Sequence, residues 1–180
     1  MTDMFSVPES SPVTDGRVTA RLLILGLGNP MMADDGIGHE VVLCLNRCEL
    51  PKGVRVFAVD GDVLTLIDLW KGEPAVWLVD AVSTDAAPGT RHIFEHQDLL
   101  ELPPAGLSVH HPSIGENLRW MVHAHPGMNG ITFRLFGVEV GVVQPATRMT
   151  RAATKSVTRL VDDITIAVRE LAAPVRYSPH

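Results

Sequence analysis

Two adjacent carboxylates, Asp34 and Asp35, follow the apolar run and glycine turn Leu22-Leu-Ile-Leu-Gly26-Leu-Gly28-Asn29-Pro30 and precede Gly36-Ile-Gly38. A third, Asp80, closes the apolar run Val76-Trp77-Leu78-Val79 and is followed by Ala81-Val82. A histidine, His110, stands in the turn Ser108-Val-His110-His111-Pro-Ser113. If they meet, Asp35, Asp80 and His110 offer two carboxylates and one imidazole. That donor set suits a borderline divalent ion such as Ni²⁺ or Zn²⁺ and leaves coordination positions open.

Each residue also has an ordinary explanation. An Asp near a helix start caps free N–H groups and favours the positive end of the dipole. One of Asp34 and Asp35 can do that; two would crowd negative charge, which leaves a second role open to one of them. Asp80 sits where water is scarce, so it must be paired, hydrogen-bonded or metal-bound to stay charged. A lone loop histidine is ordinarily a solvated surface residue. Convergence on one sheet edge is what gives the three their weight. His92, His96, His123 and His125 have no such setting.

Other chemistries are poorly provided for. Gly26-x-Gly28 lacks the third glycine of a dinucleotide fingerprint, and two acids stand where a pyrophosphate would lie. There is no P-loop lysine, no Gly-x-Ser-x-Gly elbow and no His-Glu-x-x-His pair. Cys44 and Cys48 share an apolar stripe with Ile37, Val41 and Leu45, which reads as core rather than as a redox pair or metal site. The net charge of −6 speaks against a nucleic-acid or anionic-membrane binder. Basic residues gather only at Arg148, Arg151, Lys155 and Arg159. No apolar run approaches a membrane span and no signal region opens the chain, so a soluble cytoplasmic protein is expected.

The elements that must position these residues alternate along 180 residues, 46% of them apolar. Residues 1–20 read as a flexible leader rich in Ser, Pro and Thr, residues 21–172 as one domain, and 173–180 as a tail. Strands are predicted at Leu22–Leu25, Val54–Val59, Ala75–Val79 and Ile131–Val138, with a polar edge strand at Arg91–Glu95. Helices are predicted at Gly36–Glu49, Leu64–Trp70 and Ser113–Val122, and a last one is capped by Thr150. Its stripe is Val157, Leu160, Val161, Ile164, Val168 and Leu171. The alternation predicts an α/β three-layer sandwich, a mostly parallel twisted sheet of about five strands with helices on both faces. In such a sheet the first and third strands can be neighbours, and ligands gather outside the carboxyl ends of the strands.

From Leu22 to Leu171 the chain resembles the NiFe-hydrogenase maturation endopeptidases. The resemblance rests on Gly26-Leu-Gly28-Asn29 with Ala33-Asp34-Asp35-Gly36-Ile-Gly38, on Val79-Asp80-Ala81 and on Ser108-Val-His110. It implies an aspartic-type protease that removes the C-terminal extension of a hydrogenase large-subunit precursor after nickel insertion. Asp35, Asp80 and His110 would then be both the metal contacts and the catalytic set. The nickel would be carried by the substrate, with Zn²⁺ or Cd²⁺ able to fill the open site as a surrogate. The precursor is the expected partner, with no nucleic acid or membrane and a monomeric state. Asp60-Gly61-Asp62-Val63 departs from the Gly-Gly-Thr-like turn of many members, and His111 stands where Gln or Gly is commoner.

Two other readings compete. Gly26-Leu-Gly28-Asn29-Pro30 also resembles the opening of bacterial peptidyl-tRNA hydrolase, and Asn29 and His39 have the ten-residue spacing of its catalytic pair. The similarity stops there: the later lysine-bearing loop is missing and the acidic charge suits tRNA poorly. A non-catalytic metallochaperone or docking module for the nickel-loaded precursor would use the same three ligands.

Overall fold

The computed structural model describes residues 21–60, 62–101 and 114–172. The expected leader, the expected tail, Gly61 and the turn holding His110 and His111 lie outside these described residues. Five strands form one sheet: β1 (Leu22–Gly28), β2 (Val54–Asp60), β3 (Ala75–Val82), β4 (Arg91–Glu95) and β5 (Thr132–Glu139). Their spatial order is β2-β1-β3-β5-β4. The first four positions run parallel and only β4 pairs antiparallel, at the edge, where its alternating exposed and half-buried residues place it.

Burial explains the centre of this order. Leu22, Leu23, Ile24 and Leu25 have no exposed surface, and every residue of β3 is buried. Strands covered on both faces read as continuous apolar runs, and each buried Leu or Ile contributes about 1.5–3 kcal/mol. Alternate residues of these strands feed two cores. Leu23, Leu25, Leu27, Val76, Leu78, Val82, Phe133 and Leu135 face α2 (Leu66–Leu69), α3 (His96–Glu101) and α4 (Ile114–Ala124). Leu22, Ile24, Trp77, Val79, Phe136 and Val138 face α1 (Ile37–Leu45) and α5 (Arg151–Ala172). The three-layer sandwich and its five strands are as expected.

Several boundaries differ from expectation. The helix predicted at Gly36–Glu49 is a 3₁₀ turn, Ala33–Gly36, followed by α1, which ends at Leu45. Its last turn tightens, with Arg47 N–H donating to Cys44 O and Cys48 N–H to Leu45 O, both at 3.0 Å. Both cysteines are half-buried; Cys44 packs against the core under α1 as expected, while Cys48 lies beyond the end of the helix. α3, which sequence periodicity missed, spans fewer than two turns and buries only Leu99. β3 runs three residues further than predicted, so Asp80 lies within the strand rather than after it.

Candidate active site

The pairing of β1 with β3 ends at Gly26 opposite Val79. Asp80 is thus the first β3 residue beyond that ladder, while on its other side it still sits opposite Gly137 of β5. Like Val82, it belongs to the alternate set that faces α4. The 3₁₀ turn carrying Asp34 and Asp35 packs against both β1 and β3 at this same edge. Ile114, the first residue of α4, is buried in one cluster with Leu27 and Val82. Asn117, near the start of α4, donates to Asp62 just beyond β2, which places that end of the helix at this edge. His110 itself lies outside the described residues.

Glycines allow the close approach. A Cβ on Gly38 would lie 2.2 Å from Leu27 O and 2.7 Å from Val79 O, and one on Gly26 would lie 2.1 Å from Gly38 O. Gly28 has φ +115°, and a Cβ there would meet Asp35 O at 2.0 Å. Only glycine fits both the left-handed backbone and that contact. The start of α1 is in this way seated directly on β1 and beside the residue preceding Asp80.

Asp34, Asp35 and Asp80 are each at most 3% exposed. Asp34 does not cap its own helix, contrary to one reading of the pair. Its Oδ2 accepts from Gly141 N–H at 3.0 Å and Val142 N–H at 3.1 Å; its Oδ1 accepts from Thr150 N–H at 2.6 Å. The Thr150 hydroxyl donates to Oδ2 as well, at 3.0 Å, and accepts from Ala153 N–H at 3.2 Å, the cap expected for α5. One carboxylate thus ties the Asp35 turn to the 141–150 loop and to α5. Asp35 Oδ2 accepts from Asn29 N–H at 2.6 Å, and Asp80 Oδ1 from Ala81 N–H at 2.8 Å. These contacts orient the two carboxylates at the ends of neighbouring strands.

The same edge holds a fourth buried carboxylate that sequence reading passed over. Glu139 accepts from Thr84 N–H through both oxygens, at 3.0 and 2.9 Å, and from the Thr84 hydroxyl at 2.7 Å. His92 Nε2 lies 3.5 Å from it. This group fixes the loop after β3 and gives His92 a structural role. A glutamate ending a buried strand, as Asp80 was expected to do, was the available signal. His96 is likewise structural, since its Nδ1 accepts from Phe133 N–H at 3.2 Å and its ring stacks on Phe133. Asp62 caps the turn before α2 and accepts from Asn117 of α4 at 3.0 Å, which accounts for its place in the departing Asp60-Gly61-Asp62 loop.

Other candidate chemistry finds no support here. Burial, then the nearby Glu40 carboxylate, pushes the Cys44 thiol up, which disfavours the thiolate that nucleophilic or metal chemistry needs. The Asn29 side-chain oxygen accepts from Met31 N–H within its own turn. His39 lies in the first turn of α1, with Nε2 3.0 Å from Asp60 Oδ1 and 3.2 Å from Val59 O. Among the described residues no cluster of three or more His, Cys, Asp or Glu is arranged to hold a metal. An open cavity of about 620 Å³, lined by Ala75, Trp77 and Arg134, lies at the opposite end of the strands from the three aspartates.

No protein-family model matches the chain. Over 86 residues it is 36% identical to a protein named as a hydrogenase maturation protease in Methanocaldococcus jannaschii. That match covers 46% of this chain and 53% of the relative, so it spans about half of the relative's length. Among solved structures, the [NiFe] hydrogenase maturation protease HybD from Thermococcus kodakarensis is similar, with a TM-score of 0.70 at 25% identity. The likeness covers 85% of this chain and 99% of that one. The hydrogenase maturating endopeptidase HybD from E. coli gives a TM-score of 0.72 at 24% identity, over 83% of this chain and 93% of that one, and shares the fold.

Proposed function

We propose that this chain, akin in sequence and fold to the hydrogenase maturation proteases, is itself an endopeptidase that trims a hydrogenase large-subunit precursor. In the fuller form of the proposal it removes the C-terminal extension once nickel is in place, and does so in the cytoplasm. The observation that carries the reading is the presence of Asp35 and Asp80 at one sheet edge, both buried, one in the 3₁₀ turn that packs on β1 and β3 and the other in β3. A buried carboxylate stays charged only when paired, hydrogen-bonded or metal-bound, so two of them at one edge suit a cation brought by the substrate. Backbone N–H groups orient both, Asn29 N–H donating to Asp35 and Ala81 N–H to Asp80.

In this reading Asp35, Asp80 and His110 are the metal contacts, and the ion is cargo of the substrate. Two carboxylates and an imidazole on that ion pin the neighbouring peptide at this sheet edge. Proximity of this kind is worth on the order of 7 kcal/mol when the geometry is right. The seated ion is a Lewis acid able to polarise the scissile carbonyl or to activate a water, so the protein needs no nucleophile of its own. Asp34 takes no part in the chemistry; it holds the turn that presents Asp35.

The test is to incubate the protein with nickel-loaded precursor and weigh the product by mass spectrometry. A truncated subunit is the expected result. An intact precursor in a stable complex would instead make the chain a metallochaperone or docking module.

A further inference from the structure

The chain carries six more acidic than basic residues, yet Arg148, Arg151, Lys155 and Arg159 are gathered in one stretch and all are exposed. Within α5 the last three recur every four residues, so they line one face of the helix. Three other arginines pair with acids: Arg55 with Glu73, Arg91 with Asp163 and Arg134 with Glu95. Among the described residues, none of the four clustered cations has such a partner.

Folding does not account for this arrangement. Like charges four residues apart on a helix repel, and cations in a first turn oppose the helix dipole. The first turn of α5 has no acidic residue to offset them. Arg151, Lys155 and Arg159 border an open depression of about 400 Å³ with Pro88, Gly89 and Ser156. Its floor is fixed by the Ser156 hydroxyl donating to Gly89 O at 2.7 Å. The stripe also begins beside the candidate active site, because Thr150, immediately before α5, donates to Asp34, the neighbour of Asp35.

We propose that Arg148, Arg151, Lys155 and Arg159 form a docking surface for an acidic segment of the protein substrate, outside the peptide that is cut. The identification of that substrate rests on the function proposed above. Charge complementarity selects the occupant: a local Asp/Glu-rich stretch meets only the stripe, whereas an extended polyanion also meets the remaining, net negative surface. The surface steers the precursor toward the edge where Asp35 lies.

The test compares wild type with the double variant Arg151→Glu/Lys155→Glu, measuring the affinity for nickel-loaded precursor at low and high salt. At low salt the variant should bind about tenfold more weakly, and the two should converge at about 0.5 M salt, where the screening length is only a few ångströms. Equal affinity at low salt, or a loss that persists at high salt, would overturn the docking surface. Because the reversal relieves repulsion at the positive end of α5, the melting temperature should hold or rise; a fall accompanying a salt-independent loss would make the residues structural. Binding is read without cleavage. A wild-type protein that binds through the stripe but leaves the precursor uncut overturns the peptidase reading alone, and one that cuts but ignores the reversal overturns the docking surface alone.

Discussion

Asp34 and Asp35 are adjacent, equally buried and engaged in different tasks. Asp34 receives three backbone N–H groups and one hydroxyl from residues more than one hundred positions away. Asp34→Ala should therefore cost about 3 kcal/mol of stability, because it strands buried donors of a charged acceptor; a urea or thermal melt checks this. Asp35→Asn keeps an oxygen for the Asn29 N–H, so stability should change by about 1 kcal/mol or less while precursor cleavage is abolished. Asp80→Ala and His110→Ala should likewise abolish cleavage, and normal processing by all three variants would remove the proposed metal contacts. The sequence made this pair conspicuous but did not say which acid was structural. The donors that decide it lie in the 141–150 loop, whose approach is a tertiary fact with no local signature.

At the scale of elements, the strands were the most legible feature, because unbroken apolar runs such as Leu22–Leu25 and Ala75–Val79 have few other uses. Their pairing followed from the alternation with helices. Short or irregular pieces were not legible: α3 has fewer than two turns, too few to show a repeated apolar stripe, and the 3₁₀ turn at Ala33–Gly36 lies mostly ahead of the helix that periodicity predicts from Gly36. The glycines between β1 and α1 were visible, but not what they touch. Gly38→Ala would place a methyl within 2.2 Å of Leu27 O and 2.7 Å of Val79 O, forcing α1 off both strands. About 3 kcal/mol of destabilisation is expected, measured by denaturant melts. Cleavage should fall with it even in conditions where the variant stays folded, since the turn carrying Asp35 then moves relative to Asp80.

Over the whole molecule, the two ends of the sheet serve different purposes. Asp34, Asp35, Asp80 and Glu139 are buried at the carboxyl ends of the strands, while Glu73 is buried at the opposite end. There Glu73 accepts from Arg55 and from Lys71 N–H, and its backbone oxygen accepts from the Trp70 indole. Burial alone would raise its pKa, but the Lys71 N–H and the Arg55 guanidinium outweigh it and hold the group below its ordinary 4.5. A lowered native pKa means the unfolded chain binds more protons, so this stabilisation is full above pH 4.5 and fades as pH falls through the native value. Glu73→Gln should accordingly cost about 2 kcal/mol at neutral pH and progressively less in acid, as urea melts at several pH values would report. The carboxylates at the other end include Asp35 and Asp80, where the proposed function seats a metal borne by the substrate. That claim is tested most directly by weighing the precursor after incubation with this protein, once loaded with nickel and once stripped of it. Loss of the C-terminal extension from the loaded form alone is the predicted result. Equal trimming of both forms would contradict it.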